Sequence, residues 1–315
     1  EADPLTPVST LIANGTVGSA FGPATTGLTR LFDVVPRGGG QTQRRPMSKA
    51  LYSLDPVPAA GIQVLDPTGT GTPKVGYLAL RTFISPADAR LDAAFATFKT
   101  AGVTDVIVDL RYNGGGLVST AEHLANLLAG GLAGTMYELS NNPRHAASNF
   151  NQVFTPATSS LAPAHVAFLV SGATASAGEL VPNVLAPART TSLALVGRQT
   201  YGKPVGQRGF TSSQCGVVVF LVSFKIANGA GFGDYFGGLP APGFAGCSVP
   251  ATDDLVHETW DPAETQTAAA LQWLTSGSCP ALPPGPLAAG AVAPADAYPE
   301  AVQPTEAQRH VRGLF

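Results

Sequence analysis

Charge is scarce in this sequence. Asp, Glu, Lys and Arg make up 12% of the 315 residues, about half the usual share. The formal net charge is −3, so no basic field is available to hold a nucleic acid. Long apolar runs are missing too. None reaches the roughly 18–20 residues that span a bilayer, so the sequence offers no membrane-spanning segment. Cysteine is limited to Cys215, Cys247 and Cys279. None stands in a C-x-x-C pair, which leaves no zinc pattern. One disulfide with one free thiol suits an exported chain, and three buried thiols suit a cytosolic one; the spacing does not choose a pairing. Cys279 lies in a Pro-rich stretch where burial is not expected, and this favours the disulfide. The opening EADPLTPVST has no signal-peptide character and suggests a trimmed or processed chain.

What is plentiful is apolar residues, 44%, with 36 Gly and 27 Pro concentrated toward the two ends. That is enough for one large domain or two smaller ones. Residues 1–72 carry little pattern. A helix is expected over 6–15 and a strand over 27–35, with QTQRRPMS (41–48) a polar loop and 66–73 a linker. From 73 the pattern sharpens. VGYLALRTF (75–83) reads as a strand. Ser85-Pro86-Ala87-Asp88 opens a helix with Leu91, Ala94, Phe95 and Phe98 on one face and Gly102 at its end. TDVIVDL (104–110) is a strand, and Leu117, Ala121, Leu124 and Leu128 follow at helical spacing. HVAFLV (165–170) is a strand, SAGELVPNVL a helix containing Pro182, and SLALVG (192–197) a strand. CGVVVFLVSFKI (215–226) adds a long strand, and Asp261-Pro262-Ala263-Glu264 caps a helix running to about Trp273. Continuous apolar strands alternating with helices predict an α/β sheet covered on both faces. Residues 276–315 are Ala/Pro/Gly-rich and read as an extended tail.

Three stretches carry chemistry. SGATASAGEL (171–180) puts Ser171, Thr174 and Ser176 in one bend after an apolar strand, where a nucleophile could sit. In GRQTYGKP (197–204), Gly197, Gly202 and Lys203 imitate part of a P-loop. The Ser or Thr needed to hold magnesium is replaced by Pro204, and no helix follows, which argues against a nucleotide site. Lys203 is one of only five lysines. Burial there would lower its pKa and let it serve as a base toward a serine. DLRYNGGG (109–116) follows a buried strand with three glycines, whose N–H groups could hold an oxyanion. Asp109 and Arg111 would brace that turn, and Glu179 would cap the helix after the serine. His165 starts the strand before Ser176 and is the histidine of an alternative Ser–His arrangement. His123 reads as a surface or half-buried helix residue, His145, His257 and His310 as structural, and Lys225 as an edge or snorkelling lysine.

In this order, DLRYNGGG, TASAGE and TYGKPVGQ resemble the C-terminal processing peptidases, or tail-specific proteases, over about residues 73–275. The resemblance implies a crotonase/ClpP-like α/β core of stacked βαβ units with a partly parallel sheet. It implies Ser176 as nucleophile, Lys203 as base and Gln207 as support for the lysine. The oxyanion donors would be the amide of Ala177 and that of Gly115 or Gly116. The chain departs from the family at Pro204, where glycine is usual, at Pro182, and in a Ser–Lys separation of 27 residues. Residues 6–37 resemble the last helix and strand of a PDZ domain, so 1–72 would be a partial PDZ-like segment and linker. The implied function is a serine endopeptidase acting on protein or peptide substrates without cofactor or metal, exported to a bacterial periplasm or envelope or secreted. The alternative is a latent or non-catalytic member of the same fold that binds a peptide or apolar ligand. Retention of both Ser176 and Lys203 favours catalysis.

Overall fold

The computed structural model describes residues 5–36, 39–254 and 256–280. Residues 281–315, which hold most of the expected tail and His310, lie outside the described residues. The chain divides into two units, with the boundary between Leu54 and Asp55.

The N-terminal unit holds two short helices, α1 (Val8–Ala13) and α2 (Val17–Phe21), and two strands, β1 (Thr29–Val34) and β2 (Gln43–Ser48). The strands pair antiparallel with Leu31 opposite Pro46. The loop expected over 41–48 is therefore mostly a strand. Its polar composition hid it, but that composition suits a ribbon whose β2 residues are all exposed. Arg44 donates two hydrogen bonds to the Asp33 carboxylate across the pair, at 2.8 and 3.0 Å. Proline is tolerated at Pro46 because a two-stranded ribbon has only edges.

In the larger unit, a six-stranded sheet runs in the order β12-β9-β8-β5-β4-β3. These strands are β3 (Ile62–Leu65), β4 (Val75–Ala79), β5 (Asp105–Asp109), β8 (His165–Val170), β9 (Leu193–Gly197) and β12 (Cys247–Pro250). All neighbours are parallel except the edge strand β3, which runs antiparallel to β4. The sheet thus begins ahead of residue 73. Side-chain alternation sends Val106, Val108, Val166 and Phe168 to one face. There they meet Leu91, Phe95 and Phe98 of α3 (Pro86–Ala101), Leu124 and Leu128 of α4 (Val118–Leu128), and Val181 and Leu185 of α5 (Ala177–Leu185). Ile107, Ala167, Leu169 and Val196 face the other way, onto Leu271, Trp273 and Leu274 of α6 (Thr265–Ser276). Both faces are covered, as the continuous apolar strands predict.

A second sheet, wholly antiparallel, has the order β10-β11-β6-β7. It comprises β6 (Thr135–Asn141), β7 (Phe150–Val153), β10 (Val205–Ser212) and β11 (Val217–Asn228). Only β11 was expected from sequence. The strand expected over 75–83 stops at Ala79, and α6 is capped by Glu264, whose carboxylate accepts from the N–H groups of Gln266 and Thr267. Cys247 and Cys279 are joined in a disulfide, and Cys215 is free and exposed. No described helix is long and apolar enough to cross a membrane.

Candidate active site

Three adjacent parallel strands, β5, β8 and β9, end side by side, and each feeds one of the three motifs. In such sheets the crevice beyond the carboxyl ends of the strands is the usual place for a site. The loops after β5 and β8 are stitched together. Thr174 Oγ1 donates to Leu110 O at 2.7 Å, Ala175 N to Asn113 O at 3.0 Å, and Tyr112 N to Ser171 Oγ at 3.1 Å. The loop after β9 joins them through Tyr201 N and Thr174 O at 2.9 Å. Ser171 and Thr174 are thus structural hydroxyls, and Ser176 is left half-buried at the start of α5.

Glu179 does more than cap α5. It is fully buried, and one carboxylate oxygen, Oε2, accepts from Ser176 N at 2.9 Å and from Lys203 N at 2.8 Å. Oε1 accepts from Gly202 N at 2.7 Å and Thr200 Oγ1 at 2.5 Å. The backbones of Ser176 and Lys203, far apart in sequence, are therefore tied to the same atom. Burial pushes the Glu179 carboxyl above its ordinary range, while the four hydrogen bonds hold it down. Burial lowers the pKa of Lys203, and the charge of Glu179 opposes that shift. No hydrogen bond joins Ser176 Oγ to Lys203 Nζ. Gln207 lies near the start of β10, with its Oε1 buried and unpartnered.

The glycine turn packs directly on the serine. A Cβ added to Gly115 would stand 2.8 Å from Ser176 Cβ and 3.0 Å from Ala177 N, and its φ of +104° also requires glycine. Gly115 N–H is already engaged with Asn113 Oδ1 at 2.8 Å. The amides of Ala177 and Gly116 donate no hydrogen bond among the described residues. Ala177 is the first residue of α5, where the helix dipole favours negative charge. Arg111 braces the turn from below. It is buried, meets Asp109 at 2.7 Å and Glu264 at 3.1 Å, and donates to Thr259 O at 3.2 Å. The Glu264 end of this bridge had no signal in the sequence beyond its capping position.

His165 stands at the opposite end of β8 from Ser176, a strand of roughly 16 Å. It bonds Asp105 through Nδ1 at 2.8 Å and lines a cavity of about 430 Å³ with Thr104 and Leu274, away from the serine. The Ser–His arrangement is therefore not formed. His123 pairs with Asp92 and His257 with Asp254. Lys225 meets Asp234 at 2.5 Å and faces the Phe236 ring. Among the described residues no group of three His, Cys, Asp or Glu could hold a metal ion.

The parallel α/β core thus brings a serine at a helix N-terminus, a half-buried lysine and a glycine turn to one end of its sheet. The model of peptidase family S41 matches residues 74–231, and the chain belongs to that family. It is 29% identical over 192 residues to carboxyl-terminal-processing peptidase 1, chloroplastic, of Arabidopsis thaliana, covering 61% of this chain and 37% of the relative. It is 28% identical over 164 residues to the chloroplastic C-terminal processing peptidase of Tetradesmus obliquus, covering 52% and 34%. The chain spans about a third of the length of these curated relatives. Its fold matches the crystal structure of a protein assigned as an S41 protease in Bacteroides fragilis. The TM-score is 0.64 at 25% identity, over 79% of this chain and 67% of that one.

Proposed function

We propose that this chain is a serine endopeptidase working through Ser176 and Lys203. The observation that carries the reading is the Glu179 carboxylate, which binds the backbone of both residues at one oxygen. Burial lowers the Lys203 pKa, and in its neutral form the amine takes the Ser176 proton. The alkoxide attacks a peptide carbonyl carbon. The resulting oxyanion is received by the N–H of Ala177 and that of a turn glycine; of the two expected, Gly116 has the unengaged amide. Lys203 returns the proton to the leaving amine, and water then hydrolyses the acyl-serine. Gln207 would turn its unpartnered Oε1 to the Lys203 ammonium. The substrate is an extended segment of protein or peptide.

A latent form of the same enzyme is the second reading. It is favoured by the lack of a hydrogen bond between Ser176 Oγ and Lys203 Nζ, a contact that often tightens only when substrate binds. Export to a bacterial envelope or to the exterior is supported by the Cys247–Cys279 disulfide, which persists in oxidising compartments. The N-terminal unit is proposed as the trailing part of a PDZ-like peptide reader, on the order of helix and strand there.

Turnover of a mixed peptide library, read by mass spectrometry, tests the endopeptidase. Ser176→Ala and Lys203→Ala each reduce cleavage by about 10³-fold or more while the circular dichroism is kept. Substantial cleavage by either variant would overturn the dyad.

A further inference from the structure

Residues 209–224 read GFTSSQCGVVVFLVSF and contain no charged side chain and no proline. They form the outer part of the β10–β11 hairpin. β11 pairs with β6 only from Phe224 to Asn228, and β10 is an edge of its sheet. Among the described residues, the hairpin beyond Phe224 is thus a two-stranded arm with two open edges.

Neither face of the arm is covered by the described residues. Alternation places Val217, Val219 and Leu221 on one side and Val218 and Val222 on the other. These five side chains are 43–62% exposed, and Phe210, opposite Val219, is 53% exposed. A strand apolar at every position is normally buried on both faces. Open strand edges are normally guarded by lysine, proline or inward-pointing charge, and none of these occurs between Gly209 and Phe224.

We propose that this arm joins two copies of the chain into a two-fold symmetric dimer. Identical uncharged arms meeting antiparallel bring no like charges together, so the surface is complementary to itself. A two-fold axis closes the contact, whereas unclosed edge pairing would build fibres. Val217, Val219 and Leu221, with Phe210 across from Val219, make the larger face, which presents on the order of 300 Å² of apolar side chain per copy, the size of patch that is often functional on a monomer. A bilayer is a poorer match, because the arm lacks the lysines and the Trp or Tyr that flank interfacial anchors. The proposal goes beyond the peptidase reading and does not depend on it.

Sedimentation equilibrium of the full chain carrying Cys215→Ser, which removes any intermolecular disulfide at the tip, tests the contact. The expected result is a dimer. Val219→Lys with Leu221→Lys weakens it by about 100-fold or more through like charges at the symmetric contact, with the melting transition preserved. Val219→Thr with Leu221→Thr, which keeps strand propensity, weakens it in the same direction if the lysine variant fails to fold. In the chain with Cys215 retained, a single nitroxide on that thiol gives a dipolar signal only when a second copy is near, and the same substitutions abolish it. A monomer at every concentration, or a dimer indifferent to both pairs of substitutions, would overturn the proposal. So would flotation with phosphatidylcholine/phosphatidylglycerol vesicles that the lysine variant loses, which would assign the arm to a membrane surface.

Discussion

Ser176 has φ +53°, one of two non-glycine residues with positive φ among the described residues; the other is Tyr112. Positive φ in a residue with a Cβ costs of order 1–3 kcal/mol and persists only where the surroundings enforce it. Here the enforcement comes from Glu179 at the Ser176 amide and from Gly115 against the side chain. Two substitutions that both remove the hydroxyl separate strain from chemistry. Ser176→Gly should be more stable than Ser176→Ala by about 1 kcal/mol in denaturant unfolding, because only glycine relaxes this conformation. Equal stabilities would mean that the serine backbone is not strained. Lys203 carries a cost of a different kind. Its pKa is lowered on folding, so the folded chain releases that proton first. Its penalty to stability is full below the lowered pKa and is relieved as pH rises from that value toward the free-lysine pKa of about 10.4.

At the scale of elements, the site is made by the ends of β5, β8 and β9 and held by a helix from outside them. Arg111, just after β5, is paired with Glu264 at the cap of α6, and both are buried. Removing Glu264 takes the cap from α6 and one of the two carboxylates from Arg111, which keeps Asp109. Glu264→Ala should therefore cost about 1–3 kcal/mol in unfolding free energy, and no measurable loss would show that the bridge is not structural. This scale also shows what the sequence could reveal. The strands of the parallel sheet were legible where they were apolar throughout and bounded by glycine or a capping hydroxyl, as at 104–110, 165–170 and 192–197. The three motifs were legible because each follows such a strand. β6, β7, β10 and β12 were not, because antiparallel and edge strands mix polar with apolar residues. The VGQRGFTS sequence of β10 is an example. The role of Glu179 was only half legible. A capping carboxylate can be read from its spacing to Ser176, but its bonds to Thr200, Gly202 and Lys203 depend on the adjacency of β8 and β9.

Over the whole molecule, a single disulfide closes the larger unit, tying β12 at Cys247 to Cys279 just beyond α6, with 32 residues of separation. Closing a loop of that size constrains the unfolded chain by about 3–4 kcal/mol in the chain-entropy model. Reduction should lower the melting temperature accordingly. Cys279→Ala should reproduce the loss and become insensitive to reductant. An unchanged melting temperature on reduction would mean that the bridge adds nothing to the fold.

The most direct test of the account is the reaction of the chain with a fluorophosphonate across pH 6–10, followed by intact-mass and peptide mapping. The prediction is one adduct, on Ser176. Its rate should rise with pH through a midpoint below the free-lysine value, and Lys203→Met should suppress the reaction. An adduct on another residue, or a rate on Ser176 that is flat with pH and unaffected by Lys203→Met, would contradict a serine activated by this lysine.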